Sequence, residues 1–143
     1  MAIVKGVNRT KLLDPYGNNI LDPGLISGRI RTITDTYEAV ILASGSTIEM
    51  GTQLPAGAIV IGGKLSFDAL GTPCAWLEVG DEGDADRYMA VTQTSSAALM
   101  VLPDLIGGMN YVVTGTTDNI LKITTTLGSA SGTIKLETMY IVD

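Results

Sequence analysis

The chain is 143 residues long, 45% hydrophobic and 17% charged, with a net charge of −6, no histidine and one cysteine. That length suits one domain, which buries roughly 70% of the surface its unfolded chain exposes, and a charged share below the usual 25% or so leaves surface suited to oligomerisation or docking. The missing histidine removes the commonest general base and metal ligand, the lone Cys74 excludes an internal disulfide framework, and no apolar run approaches the roughly 18 residues of a membrane span.

Residues 1–28 are punctuated by turns rather than patterned for a core. The triplet Leu-Asp-Pro occurs at 13–15 and again at 21–23, and Asp-Pro and Pro-Gly pairs fix turns through the locked φ of proline and the freedom of glycine. The expectation is an extended, bent N-terminal arm over 1–28 and a folded body over 29–143. Apolar pairs at Leu12-Leu13, Ile20-Leu21 and Leu25-Ile26 are spaced to anchor the arm at intervals, on a neighbour or on its own domain. The opening MAIVKGVNRTK has no long apolar stretch like that of a signal peptide, so a soluble chain made in the cytoplasm is expected.

Charge divides the same way. Residues 1–34 carry the bases Lys5, Arg9, Lys11, Arg29 and Arg31 against the acids Asp14 and Asp22, a net +3, while the remainder carries four bases and thirteen acids, a net −9. A basic leader on an acidic body reads as an arm that settles on a neighbouring subunit or another acidic surface; a solvated terminus is the plain alternative. Nucleic acid is a poor partner, because five dispersed bases without interleaved aromatics make a weak footprint.

From residue 29 the pattern becomes short strands broken by turn signals. Strands are expected over 29–34, 37–43, 47–50, 58–67, 75–79, 88–94, 98–102, 111–113, 119–126 and 133–142, many filled with β-branched residues at a period near two. Between them lie glycine, proline, serine and asparagine clusters such as SGS, LPAG, ALGTP, PDLIGG, TGTTDN and GSASG. Residues 38–42 and 97–102 are too short for self-supporting helices and read as strand. The architecture expected is all-β, a β-sandwich or jelly roll. The closing run to Asp143 belongs to the sheet.

Several patterns evoke chemistry and fail on spacing. Ile61-Gly62-Gly63-Lys64 lacks both the G-x-x-x-x-G-K-[ST] order and a following helix, and reads as a bulge or bend in a long strand. Cys74, beside Trp76, has no base or cation nearby in sequence to make a thiolate, and reads as a buried small hydrophobe. The stretch 77–87, LEVGDEGDADR, holds five of the fifteen acids. It resembles a fragment of a calcium loop, yet with Asp81 as first position the sixth and twelfth places hold Asp86 and Thr92 instead of glycine and glutamate. A glycosidase pair would need one carboxyl held protonated in an apolar groove, whereas this loop is polar and its aromatic neighbours are only Trp76 and Tyr88. The expectation is a structural hairpin turn. In it Gly80 and Gly83 take positive φ, Asp81, Asp84 and Asp86 accept backbone N–H bonds, and Arg87 pairs with one carboxylate. No catalytic, cofactor or metal residues are assigned.

The order and wording of several segments resemble the head decoration, or cement, proteins of tailed bacteriophages. They are VNRTKLLDP and NNILDPGL in the arm, ITDTYEAVILASGSTIEMG, LPAGAIVIGGKLSFDALG, LEVGDEGDADRYM and the closing GTIKLETMYIVD, together nearly the whole chain. It departs from that family at residues 72–76, TPCAW, where a plainer alternating strand is expected. The resemblance implies a β-sandwich or jelly-roll subunit, no enzymatic activity, and a homotrimer outside the virion's capsid. Its partner would be the major capsid protein, with the arm, through Lys5, Arg9, Lys11, Leu13, Leu21, Arg29 and Arg31, bridging capsid subunits. A receptor- or glycan-binding module of a phage tail or fibre is the second reading, for which exposed aromatics are expected and scarce. A calcium-dependent hydrolase is the third.

Overall fold

Alternation of β-branched and polar residues, interrupted by glycine turns, produces eight strands. They are β1 (Arg29–Leu42), β2 (Thr47–Met50), β3 (Ile59–Phe67), β4 (Trp76–Gly80), β5 (Met89–Gln93), β6 (Ala98–Leu102), β7 (Leu121–Thr126) and β8 (Ala130–Val142), with one 3-10 turn at Ile106–Gly108. This computed structural model describes residues 29–71, 75–104 and 106–142; the arm 1–28, and Thr72, Pro73 and Cys74, lie outside the described residues.

The strands form two antiparallel four-stranded sheets, β1-β8-β3-β6 and β2-β7-β4-β5. First pairs with last, second with seventh, third with sixth and fourth with fifth, as in a ribbon rolled up from its closed end. The result is an all-β sandwich. Inward-facing residues of both sheets meet in one core: Leu65, Phe67, Ile134, Leu136 and Tyr140 from the first, Met50, Leu77, Val79, Met89 and Ile123 from the second. Burial of this apolar surface is the main force holding the sheets face to face.

Two expected strands, 29–34 and 37–43, are one. Asp35 does not turn the chain; it stays extended opposite Leu136, and its carboxylate accepts the N–H groups of Thr36 at 2.8 Å and Gly51 at 2.7 Å. β8 is nearly as long and pairs with β1 almost throughout, which keeps both extended. The register breaks only between Ala39 and Leu42, where Ile41 takes φ 50° and donates its N–H to Ser131 Oγ at 3.0 Å. Of the expected strand 111–113, a single bridge remains, Val112 to Ile59.

Gly62 and Gly63 sit beside the expected bulge, which displaces the register between Val60 and Gly62. Their need is space rather than positive φ. A Cβ on Gly63 would run into the Glu137 carbonyl oxygen and stand 3.3 Å from Thr138 Cα, so β3 and β8 approach there only because position 63 has no side chain. Strand direction alternates along the chain, so the connections after β2, β4 and β6 gather at the end where β1 begins. Hydrogen bonds tie them: Leu54 N–H to Asn119 O at 2.7 Å, Gly57 N–H to Val113 O at 2.8 Å, Glu82 N–H to Thr117 O at 3.0 Å.

The variant Gly63→Ala tests this spacing: about 1–3 kcal/mol of stability should be lost in urea unfolding, the range for forcing atoms into a packed interior. Gly107→Ala, where an added Cβ meets nothing within 4 Å, should stay within about 0.5 kcal/mol of the parent.

Candidate functional site

The acidic stretch 81–86 forms the connection between β4 and β5, which pair with each other as expected of a hairpin. Its anchor is Asp81, whose side chain is fully buried. Asp81 Oδ1 accepts the N–H groups of Gly83 at 2.9 Å and Asp84 at 3.0 Å, and Arg87 Nη2 at 3.2 Å, while Oδ2 accepts Arg87 Nε at 2.5 Å. A carboxylate taken out of water needs such compensation, because desolvation costs several kcal/mol per ion. Arg87 is thereby held protonated more firmly than usual, first by its hydrogen bond to Asp81 and then by the attraction of Asp81, Tyr111 and Asp84, against the opposing effect of burial.

Gly80 and Gly83 do not take positive φ, which corrects the expectation for both. Gly80 is required for space: a Cβ there would overlap Asp84 O and the Ala85 carbonyl, since the turn folds tightly back over the end of β4. At Gly83 a Cβ would meet Asp81 Oδ1 at 3.3 Å, Arg87 Nη2 at 3.4 Å and Thr117 Oγ1 at 3.4 Å, so a side chain would crowd the ion pair.

Arg87 does more than close its own loop. Its guanidinium lies over the ring of Tyr111, 3.9 Å from the centroid, a cation–π contact. The Tyr111 hydroxyl donates to Asp118 Oδ2 at 2.7 Å. Asp118 also accepts the Thr114 N–H at 2.7 Å, the Thr114 hydroxyl at 2.9 Å and the Gly115 N–H at 2.9 Å. Burial pushes the Asp118 carboxyl up, but these four donors outweigh it and hold the group well below the usual carboxylate range. Tyr111 moves the opposite way, raised chiefly by donating to Asp118. Asp81, Arg87, Tyr111 and Asp118 thus form one polar clamp joining the β4–β5 connection to residues 111–118.

The remaining acids face outward. Lys122, on β7, forms ion pairs with Glu82 and, at 3.8 Å, with Glu49; the hydrogen bond to Lys122 lowers Glu82. Asp84 reaches Arg87 Nη1 only at 4.0 Å. Asp86 is held above its ordinary range first by hydrogen bonding to Asp84 and further by partial burial and the charge of Asp84. Glu78 is raised by burial and by Asp86. A calcium site would draw on these oxygens, yet Asp81 already gives both of its own to Arg87 and the backbone. Among the described residues no three histidine, cysteine or acidic side chains are grouped to hold a metal.

Of the expected arm contacts, Lys5, Arg9, Lys11, Leu13 and Leu21 lie outside the described residues. Arg29 and Arg31 stand in β1, opposite Val142 and Tyr140. Tyr111 and Asp118 were not singled out in the sequence. The signal was local and partial: an aspartate in the cluster TGTTDN is suited to accept bonds from nearby backbone N–H groups. Its link to Arg87 is set by the fold alone.

Chains of similar fold occur in solved phage capsids. One in the capsid asymmetric unit of cyanophage Pam1 aligns with a TM-score of 0.68 at 22% identity, over 82% of this chain and 88% of that one. A chain in the capsid of Ralstonia phage GP4 gives 0.62 at 17% identity, over 81% and 86%. A third, in the acidic stable capsid of Helicobacter pylori bacteriophage KHP30, gives 0.58 at 11% identity, over 79% and 87%. Identities this low establish a shared fold. No protein-family model matches the sequence, and none of the curated proteins matches it.

The clamp has a pH signature. Because Asp118 titrates below its unfolded range, its contribution to stability is complete above a pH of about 4 and is lost as pH falls toward the folded-state value. In urea unfolding as a function of pH, Asp118→Asn should be less stable than the parent at neutral pH, and the gap should narrow steadily below about pH 4.

Proposed function

We propose that this chain is a structural subunit of a tailed-phage head: a decoration, or cement, protein that binds the outside of the shell as a homotrimer and stabilises it. The observation that carries this reading is the fold shared with chains of phage capsids over most of both lengths. The Pam1 match takes in 88% of that chain and 82% of this one, so the matched chain is about as short as this one. A chain this short is suited to add onto a shell built from a larger major capsid protein. The strand pairing, first with last and inward in order, supports a jelly roll, an arrangement that recurs in viral capsid and lectin domains.

The site supports a structural role over a catalytic one. The loop richest in carboxylates spends its buried acid on Arg87 and backbone N–H groups, which suits an ion-paired anchor better than an acid–base catalyst. A sugar-binding face of a tail or fibre module is weakly supported, since Tyr37, 37% exposed, is the one aromatic among the exposed large hydrophobics of the described residues. On the proposed reading the protein is made in the host cytoplasm and resides on the virion exterior. The basic arm, through Lys5, Arg9 and Lys11, bridges neighbouring capsid subunits. Stabilisation then follows by linkage, because anything that binds only the assembled shell shifts the equilibrium against disassembly.

Light scattering on the purified chain of 14.9 kDa should give three times that mass, and the protein should cosediment with expanded, empty phage shells. Replacing Lys5, Arg9 and Lys11 together by glutamate should weaken shell binding on the order of tenfold or more, about 1.4 kcal/mol, without altering the trimer. A monomer that ignores such shells would overturn the proposal.

A further inference from the structure

The edge strands of the two sheets are unequal. β2, β5 and β6 are 4, 5 and 5 residues long, whereas β1 runs for 14. An edge strand offers a row of unpaired N–H and C=O groups, which proteins blunt by shortness, proline, lysine or a bulge. β1 holds neither proline nor lysine, and its bulge lies beyond Ala39, so residues 29–39 form a long and regular open edge. Arg31, Ile33, Asp35 and Tyr37 stand opposite Tyr140, Thr138, Leu136 and Ile134, and so lie on the face of the sheet that carries the core. Arg31 and Tyr37 are nonetheless exposed, so this margin of the inner face is open. The ion pairs of the described residues are made by Arg87 and Lys122, which leaves Arg29 and Arg31 without a carboxylate among them.

We propose that β1 is a self-complementary edge that pairs antiparallel with β1 of a second copy, about a two-fold axis through Ile33. An axis perpendicular to the sheet keeps inner face beside inner face and makes one continuous sheet of the two. Arg31 then stands opposite Asp35 of the second copy, and Asp35 opposite its Arg31. Ile33 meets Ile33, Thr32 meets Thr34, and Arg29 meets the ring of Tyr37. Opposed unlike charges, threonine pairs and β-branched pairs are the combinations that stabilise neighbouring strands, and arginine over a tyrosine ring adds a cation–π contact. Asp35 is already fixed in place, accepting the Thr36 N–H on one oxygen and the Gly51 N–H on the other. A carboxylate has about four acceptor sites, so two remain for an arginine. Moving the axis by one residue destroys the match. Centred on Thr34, Ile33 would face Asp35 and Ile30 would face Glu38; centred on Thr32, Ile33 would face Arg31. The net charge of −6 opposes association of two copies in general, which makes this local match of charges the reason for a second copy to choose the β1 edge.

The contact is two-fold and so separate from the threefold association proposed above; where both form, it links subunits of neighbouring trimers. Its register gives the test. In a Cys74→Ser background, which removes the single native cysteine, the exposed Thr32 and Thr34 are changed one at a time, Thr32→Cys and Thr34→Cys, and the two full-length chains are mixed under mild oxidation, one of them isotope-labelled. Directly opposed residues have Cα atoms about 4.5–5.5 Å apart, within disulfide range, whereas two copies of the same position lie on a diagonal of about 7–8 Å, beyond it. Mass spectrometry should therefore find the mixed disulfide about tenfold or more in excess over either like pair. Arg31→Glu in both chains should lower the yield about tenfold and leave the urea midpoint unchanged. No disulfide, equal yields of mixed and like pairs, or a yield indifferent to Arg31→Glu would each overturn the pairing. A chain that forms trimers and binds shells yet gives no mixed disulfide would overturn this inference alone, and a mixed disulfide in a chain that ignores shells would overturn only the phage reading.

Discussion

The buried carboxylate of Asp81 is the constraint on which the entry end of the sandwich depends. A desolvated charge must be met by donors, and here Arg87 and two backbone N–H groups of the loop meet it. With its edge committed to Asp81, the guanidinium offers its flat face to the Tyr111 ring, and the tyrosine hydroxyl is left to satisfy Asp118. One ion pair inside a hairpin turn thus becomes a tie between two connections, reinforced by the backbone bond from Glu82 to Thr117. Removing a single partner of such a pair is more damaging than replacing the whole of it, because the remaining charge stays buried without compensation.

That tie explains how an acidic loop serves a body already rich in acids. Carboxylates that faced water together would repel one another and loosen the turn. Instead Asp81 is neutralised internally and Glu82 is matched by Lys122 from β7, while Asp84 meets Arg87 only at 4.0 Å and, through its hydrogen bond and charge, helps to raise Asp86. The loop presents negative charge outward at the end of the sandwich where β1 begins. The rest of the molecule follows the same economy of function: a continuous core between two sheets, long β1 and β8 holding each other extended, and glycines where backbones must approach.

Much of this was legible in the chain before folding, and the misses are physical ones. Alternation located strand 47–50 to the residue, because a half-buried strand writes its burial into period two, whereas 98–102 is a short continuous apolar run bounded by turn residues. Alternation split β1 at Asp35-Thr36, since a polar pair there looks like a turn. Only β8, contributed from the far end of the chain, holds it straight. Glycines 80 and 83 were correctly tied to the turn but for the wrong reason, as sequence does not separate a need for positive φ from a need for space. The pairing of Arg87 with a carboxylate was foreseen from proximity along the chain; Tyr111 and Asp118, more than twenty residues away, were reachable only through the fold.

The claim that Asp81 and Asp118 belong to one clamp is most directly tested by a double-mutant cycle on Asp81→Asn and Asp118→Asn, read by urea unfolding at neutral pH. The two carboxylates do not touch, so independent structural sites would add to within about 0.3–0.5 kcal/mol. The clamp predicts a coupling above about 0.5 kcal/mol, because breaking either end frees Arg87 and Tyr111 from both. Strict additivity would mean two separate turns that happen to be neighbours, and would contradict the account.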